Sequence, residues 1–199
     1  MTNSGMLFGW ESGHKVYRAV YKKLQHLPKN AVLFVDFRRV RQASYQALKE
    51  VMMVFQVLRT SKFEGRYIVL QLEASNHDLV ESVEVVARLG GHHVPLIDKG
   101  GSLRHFGKLT RAESDTLEFI ERHGELTSKE LRGQLGLLPS AASNRLRRLH
   151  HLRLIRREER AVPGSGGREF VYEPLLPRRA GGGGATRRAQ PKREARRGG

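Results

Sequence analysis

The sequence predicts an α/β chain in two parts: a small layered front half, then three short helices closed by a β-hairpin. Three observations predict it. Apolar residues at helical spacing alternate with β-branched runs through residues 13–97. Two capping-box spacings and a glycine-rich turn punctuate residues 109–174. From Pro177 onward no apolar residue beyond alanine occurs, so that end cannot contribute to a core.

Residues 1–12 carry no period, although Met6, Leu7, Phe8 and Trp10 have the makings of a short edge strand. Gly13 to Leu27 reads as an amphipathic helix, with Val16, Val20 and Leu24 four apart. Lys15, Arg18, Lys22 and Lys23 form its solvated face. Pro28 ends it and Lys29-Asn30 turns the chain. Ala31 to Phe37 is a near-continuous β-branched and aromatic run, which suits a buried central strand. Asp36 near its end needs a hydrogen-bond donor, either in the following turn or at a binding edge.

Ser44 is placed to cap a helix running to about Leu58, with Leu48, Val51, Met52, Phe55 and Leu58 on its inner face. Tyr67 to Leu72 is a second buried strand. Asp78 to Leu89 is the next helix, with Leu79, Val83, Val86 and Leu89 inward and Gly90-Gly91 at its close. His93 to Ile97 is the third strand. This alternation predicts a small α/β layer with mostly parallel strands over residues 1–99. Residues 100–108, with Gly100, Gly101 and Gly107, read as a hinge. The histidine pairs 92–93 and 150–151 read as surface or groove-side residues, because neither has a carboxylate at ligand spacing.

The back half, 109–176, is the most strongly punctuated. Thr110 precedes Glu113, and Thr127 precedes Glu130, by the capping-box interval. Leu117, Phe119 and Ile120 face one core, as do Leu131 and Leu135, and Gly136 supplies a stop. Pro139 fits the first position of a third helix, with Leu138 as an N-cap that lacks an acceptor. Ala142, Leu146 and Leu149 share its buried face. Ser140, Ser143, Asn144, Arg147, Arg148 and His151 then point outward, with Arg145 near the boundary. Guanidiniums pair bidentately with guanine, Asn pairs with adenine, and small hydroxyls allow close approach, so this face suits a major groove. Arg153 to Val162 and Arg168 to Tyr172 read as strands around a turn at Pro163 to Gly167. Arg156, Arg157, Arg160 and Arg168 make a basic hairpin end fitted to phosphates or a minor groove.

The segment SAASNRLRRLHHLRLIRRE resembles the recognition helix and first wing strand of winged helix-turn-helix regulators, the MarR-like and ArsR-like kinds. The resemblance implies DNA contact by Ser140, Ser143, Asn144, Arg145 and Arg148. Arg153 stands where that family usually has a glycine. In the front half, AVLFVDFRRVRQASYQAL resembles STAS-like domains of bacterial regulatory proteins. Typical members carry an Asp-Ser pair, the serine phosphorylated; Ser44 and Tyr45 occupy those positions here, so no phosphorylation switch is implied. That resemblance implies a non-catalytic scaffold that answers to a ligand or a regulatory partner protein.

Charge agrees with a polyanionic partner. The net charge is +16, and residues 177–199 hold eight Lys/Arg and one Glu, nearly half of that excess. They read as a disordered basic arm. Cysteine is absent, which removes disulfides, thiolate metal sites and a thiol nucleophile. No phosphate-binding glycine loop, nucleophile elbow or metal-binding HExxH pattern occurs, so neither an enzyme nor a cofactor is expected. Nothing resembles a leader or a membrane span. The expected protein is a cytoplasmic, nucleoid-associated regulator of transcription. It binds double-stranded DNA and dimerises, since one recognition helix reads few base pairs.

Overall fold

The computed structural model describes residues 5–98, 100–101, 103–162, 164 and 166–176. The expected basic arm, 177–199, lies outside them. The front half starts with a two-residue strand, β1 (Met6–Leu7), and helix α1 (Gly9–His26). Then come β2 (Val32–Asp36), β3 (Gln42–Ala43), α2 (Tyr45–Leu58), a 3-10 turn at Ser61–Phe63 and β4 (Tyr67–Gln71). Helix α3 (His77–Leu89), β5 (Val94–Ile97) and β6 (Leu103–Phe106) complete it.

Four strands form one sheet in the order β2-β4-β5-β6, the first three parallel and β6 antiparallel. The crossovers through α2 and α3 step in the same direction across the sheet. Right-handed connections therefore put both helices on one face. Leu33, Val35, Ile68, Leu70 and Leu96 meet α1, α2 and α3 there in a single core. Ser44 caps α2 as its position implies, accepting from the Ala47 N–H at 3.3 Å and also from Gly9 N–H at 3.1 Å.

Several expectations are corrected. Helix α1 begins at Gly9, so Trp10 belongs to the helix rather than to an edge strand. Gly13 lies inside α1, where a Cβ would fall 2.3 Å from the Ala47 carbonyl oxygen; its missing side chain lets α1 and α2 cross closely. The run at 32–36 is the edge strand, with Phe34 44% exposed, and the strands buried on both sides are β4 and β5. Hydrophobicity alone does not separate an edge from a centre, because strand order is a long-range property. Leu89 is 67% exposed at the end of α3, where the helix leaves the sheet. The glycine-rich stretch read as a hinge contains β6, with Phe106 buried in the front core and Leu103 packed on the opposite face.

In the back half, α4 (Arg111–His123), β7 (Leu126–Thr127), α5 (Ser128–Leu135), α6 (Pro139–His151), β8 (Ile155–Ala161) and β9 (Arg168–Pro174) follow. Strand β9 pairs with β8 and also with β7, giving a three-stranded sheet rather than a bare hairpin. Leu117, Ile120, Leu131, Leu146, Leu149 and Ile155 form a second core. The two halves are fastened together. Leu175, just past β9, packs on Tyr67 and Val69, on the sheet face that α1 to α3 leave open.

Candidate nucleic-acid interface

Both helix-start signals of the back half are realised. The Thr110 hydroxyl accepts the Glu113 N–H at 3.2 Å while the Glu113 carboxylate accepts the Thr110 N–H at 2.7 Å. Thr127 and Glu130 repeat this at 3.2 and 2.6 Å. Helix α5 stops at Gly136, whose φ of 61° is the left-handed conformation glycine adopts without strain. The chain then turns through Leu137 and Leu138 into α6. Pro139 is at the first turn of that helix, and Leu138 caps it without a side-chain acceptor.

Helix α6 is two-faced. Ala142, Leu146 and Leu149 are fully buried. Ser140, Asn144 and Arg147 are exposed along one stripe, with His151 in line one turn further on; Ser143 and Arg145 flank it, half-buried. Arg148 is exposed to one side and donates to Glu113 of α4 at 3.3 Å. Burial opposes ionisation of Glu113, but hydrogen bonds from Thr110 and Arg148 hold its carboxyl below the usual range. Among the described residues Arg145 and Arg147 enter no ion pair. Lys129 and Arg132, exposed on α5, are likewise unpaired and extend the same cationic surface. The sequence reading passed over them; their spacing of three on the polar side of α5 is the signal.

The hairpin arginines have other occupations. Arg156 and Arg157 pair across the ladder with Glu173 and Tyr172, towards the open end of the hairpin and away from its turn. They therefore do not form a basic tip. Arg156 donates to the Leu175 carbonyl at 2.9 Å. Arg157 lies 4.4 Å from the Phe170 ring centroid and reaches Glu64 of the front half at 3.0 Å. Arg160 is held by Glu125, Glu158 and Glu173, and hydrogen bonds to Glu125 and Glu158 raise its pKa further. Arg168, near the turn, pairs with Glu159 at 3.4 Å. With carboxylates holding Arg157, Arg160 and Arg168, most of the unpaired positive charge of the described part of this region sits on α5 and α6.

Four other positions differ from expectation. Arg153 replaces the usual glycine yet adopts the conformation glycine would, with φ of 62°. Its side chain is buried and donates to the Leu58 carbonyl at 3.1 Å and the Thr60 carbonyl at 3.4 Å. His92, His93 and His150 are buried rather than on the surface, and only His151 is exposed. Burial, with Arg59 and Arg148 nearby, pushes His93 down to about 4; burial, with Arg157 and Arg153 nearby, pushes His150 down to about 3. Among the described residues no group of three or more His, Cys, Asp or Glu is placed to hold a metal ion. Nor is any helix there long and apolar enough to cross a membrane.

Asp36 resolves as a turn cap. It accepts from Arg38 N–H at 2.9 Å and from the guanidinium at 2.9 and 2.7 Å, and that pairing holds its carboxyl at about 2.

Residues 108–164 match the sequence model of the MarR family. No curated protein matches the chain. The matched segment runs from just before α4 into the hairpin turn, and its helix–helix–helix–strand order is that of a winged helix-turn-helix. The back half is thus similar, over residues 108–164, to the winged helix-turn-helix domains of the MarR family.

Proposed function

We propose that this chain is a DNA-binding regulator of transcription that lays α6 in the major groove of a duplex. One observation carries the reading: the exposed stripe Ser140–Asn144–Arg147 lies on a helix whose opposite side is fully buried, inside a MarR-family domain. In this reading Asn144, Ser140 and Ser143 meet base edges, while Arg145, Arg147 and Arg148 reach bases or phosphates. The hairpin arginines are secondary: Arg168 near the turn is placed to approach phosphate. Arg156, Arg157 and Arg160 contribute only by exchanging their present partners. A homodimer supplies the second half-site. The front layer, which resembles STAS-like domains, associates or senses and performs no catalysis. A regulatory protein partner would dock there.

The test is selection of a preferred site from randomised duplex, followed by titration of Asn144→Ala and Arg147→Ala. We expect Asn144→Ala to relax base preference at one position, at a cost of about 1–3 kcal/mol against the preferred sequence. Binding that is indifferent to sequence, to salt and to both substitutions would overturn the reading in favour of a protein-association module.

A further inference from the structure

We infer that Arg59, in the front half, contacts a backbone phosphate of the same duplex, so that both halves of the chain hold DNA. This rests on the DNA reading of α6 above. Arg59 directly follows α2, and the carbonyls on either side of it, Leu58 and Thr60, are the two that accept hydrogen bonds from Arg153. Arg153 is two residues beyond the end of α6. The clasp therefore pins Arg59 beside the C-terminal end of the helix proposed to enter the groove.

The electrostatic surroundings of Arg59 are cationic. It acts on Arg148 of α6 and on the rings of His92, His93 and His151. Among the described residues no carboxylate pairs with Arg59, and the partner of Arg148 is Glu113 alone. Burial, and then Arg148, lowers the pKa of Arg59. A half-buried guanidinium with no carboxylate of its own, in the field of a second guanidinium, is an unfavourable arrangement in the free protein. A phosphate oxygen between or across them relieves it, and a guanidinium is shaped to take two such oxygens. Arg148 ties the node to α6, so the phosphate expected there belongs to the strand that borders the groove α6 reads.

The measurement is full-chain affinity for random-sequence duplex over a range of salt concentrations, for the parent, Arg59→Gln, Arg59→Lys, Arg147→Gln and, as a distant control on α1, Lys15→Gln. Each phosphate neutralised contributes about 0.9 to the slope of log affinity on log salt. Arg59→Gln is expected to weaken binding severalfold at low salt and to lower the slope by about that amount. Base preference should not change, and Arg59→Lys should restore much of the slope. If Arg147→Gln lowers affinity but the Arg59→Gln slope equals the parent's, α6 reads DNA and this inference is wrong. If Arg147→Gln also changes nothing, the DNA reading itself is wrong and takes the inference with it. A parallel thermal titration with inorganic phosphate separates a free-anion site. Stabilisation of the parent but not of Arg59→Gln, with an unchanged DNA slope, overturns the inference in favour of a small anion.

Discussion

Arg153 shows how one side chain outweighs a backbone preference. A non-glycine residue in the left-handed region costs about 1–2 kcal/mol. A hydrogen bond from a charged donor returns about 1.5–3 kcal/mol, and Arg153 donates to two carbonyls of the front half. Arginine is therefore retained where local geometry favours glycine. Arg153→Ala keeps the strain and loses both contacts, whereas Arg153→Gly loses only the contacts. Urea titration should find both variants less stable than the parent, with the glycine variant about 1 kcal/mol the better of the two. The reverse order would show that the clasp is not what holds this residue. The buried histidines give a second test at this scale. In the unfolded chain His93 and His150 protonate near 6.5, but in the fold only near 4 and 3. Their folded values are depressed, so the unfolded chain binds more protons as pH falls. The stability they permit is complete above about 6.5 and is lost progressively towards 4 and then 3. The urea midpoint should fall between pH 7 and pH 4.5, a range in which Asp36, held at about 2, stays ionised. A flat midpoint for the parent across that range would contradict their neutral burial.

Among the helices of the back half, α6 is the one whose start is left open. Helices α4 and α5 have reciprocal caps, whereas Leu138 is 73% exposed and offers no acceptor to the first amides of α6. Leu138→Asp would supply that acceptor, and its charge favours a helix N-terminus, so stability should rise by about 1 kcal/mol. The same carboxylate would stand at the end of the helix proposed to approach DNA, where it repels phosphate. Affinity for duplex should therefore fall while the unfolding midpoint rises, measured on one preparation. A rise in both would argue against α6 as the approaching element. The hairpin illustrates the converse of an open element. Arg160 is matched by Glu125, Glu158 and Glu173, Arg168 by Glu159 and Arg157 by Glu64, so most of its positive charge is spent within the fold. Such exposed pairs contribute little each to stability, but they leave few free cations for a ligand.

At the scale of the whole molecule, the two cores are joined by an apolar cluster and by polar contacts, among them His105 of β6 with Glu121 of α4 at 2.5 Å. Leu175 is fully buried on Tyr67 and Val69, Arg157 reaches Glu64, and Arg153 clasps the end of α2. Truncating a buried leucine costs about 2–5 kcal/mol. Leu175→Ala should lower stability by that order and uncouple the halves. Calorimetry should then resolve two unfolding transitions where the parent shows one. A single transition in the variant would mean that the polar clasps alone couple the cores. In the proposed function such coupling would link the front layer to the base of the hairpin and to the C-terminal end of α6.

The helices, the two capping boxes, the stop at Gly136 and the two-faced character of α6 were legible from the sequence because each is decided within one or two turns of chain. A cap needs a partner three residues away, and a helical face needs only its own period. Strand β6 was hidden because four residues containing Arg and His carry too short a period, and their pairing is supplied by the open edge of β5. The edge position of β2, the burial of His92, His93 and His150, the carboxylate partners of the hairpin arginines and the clasp of Arg153 all depend on neighbours distant in the chain. The sequence by itself therefore determined which helices form and which face of α6 is polar. Only the tertiary structure decided which cations remain free, because a charge is spent or available according to what folding brings within a few ångströms of it.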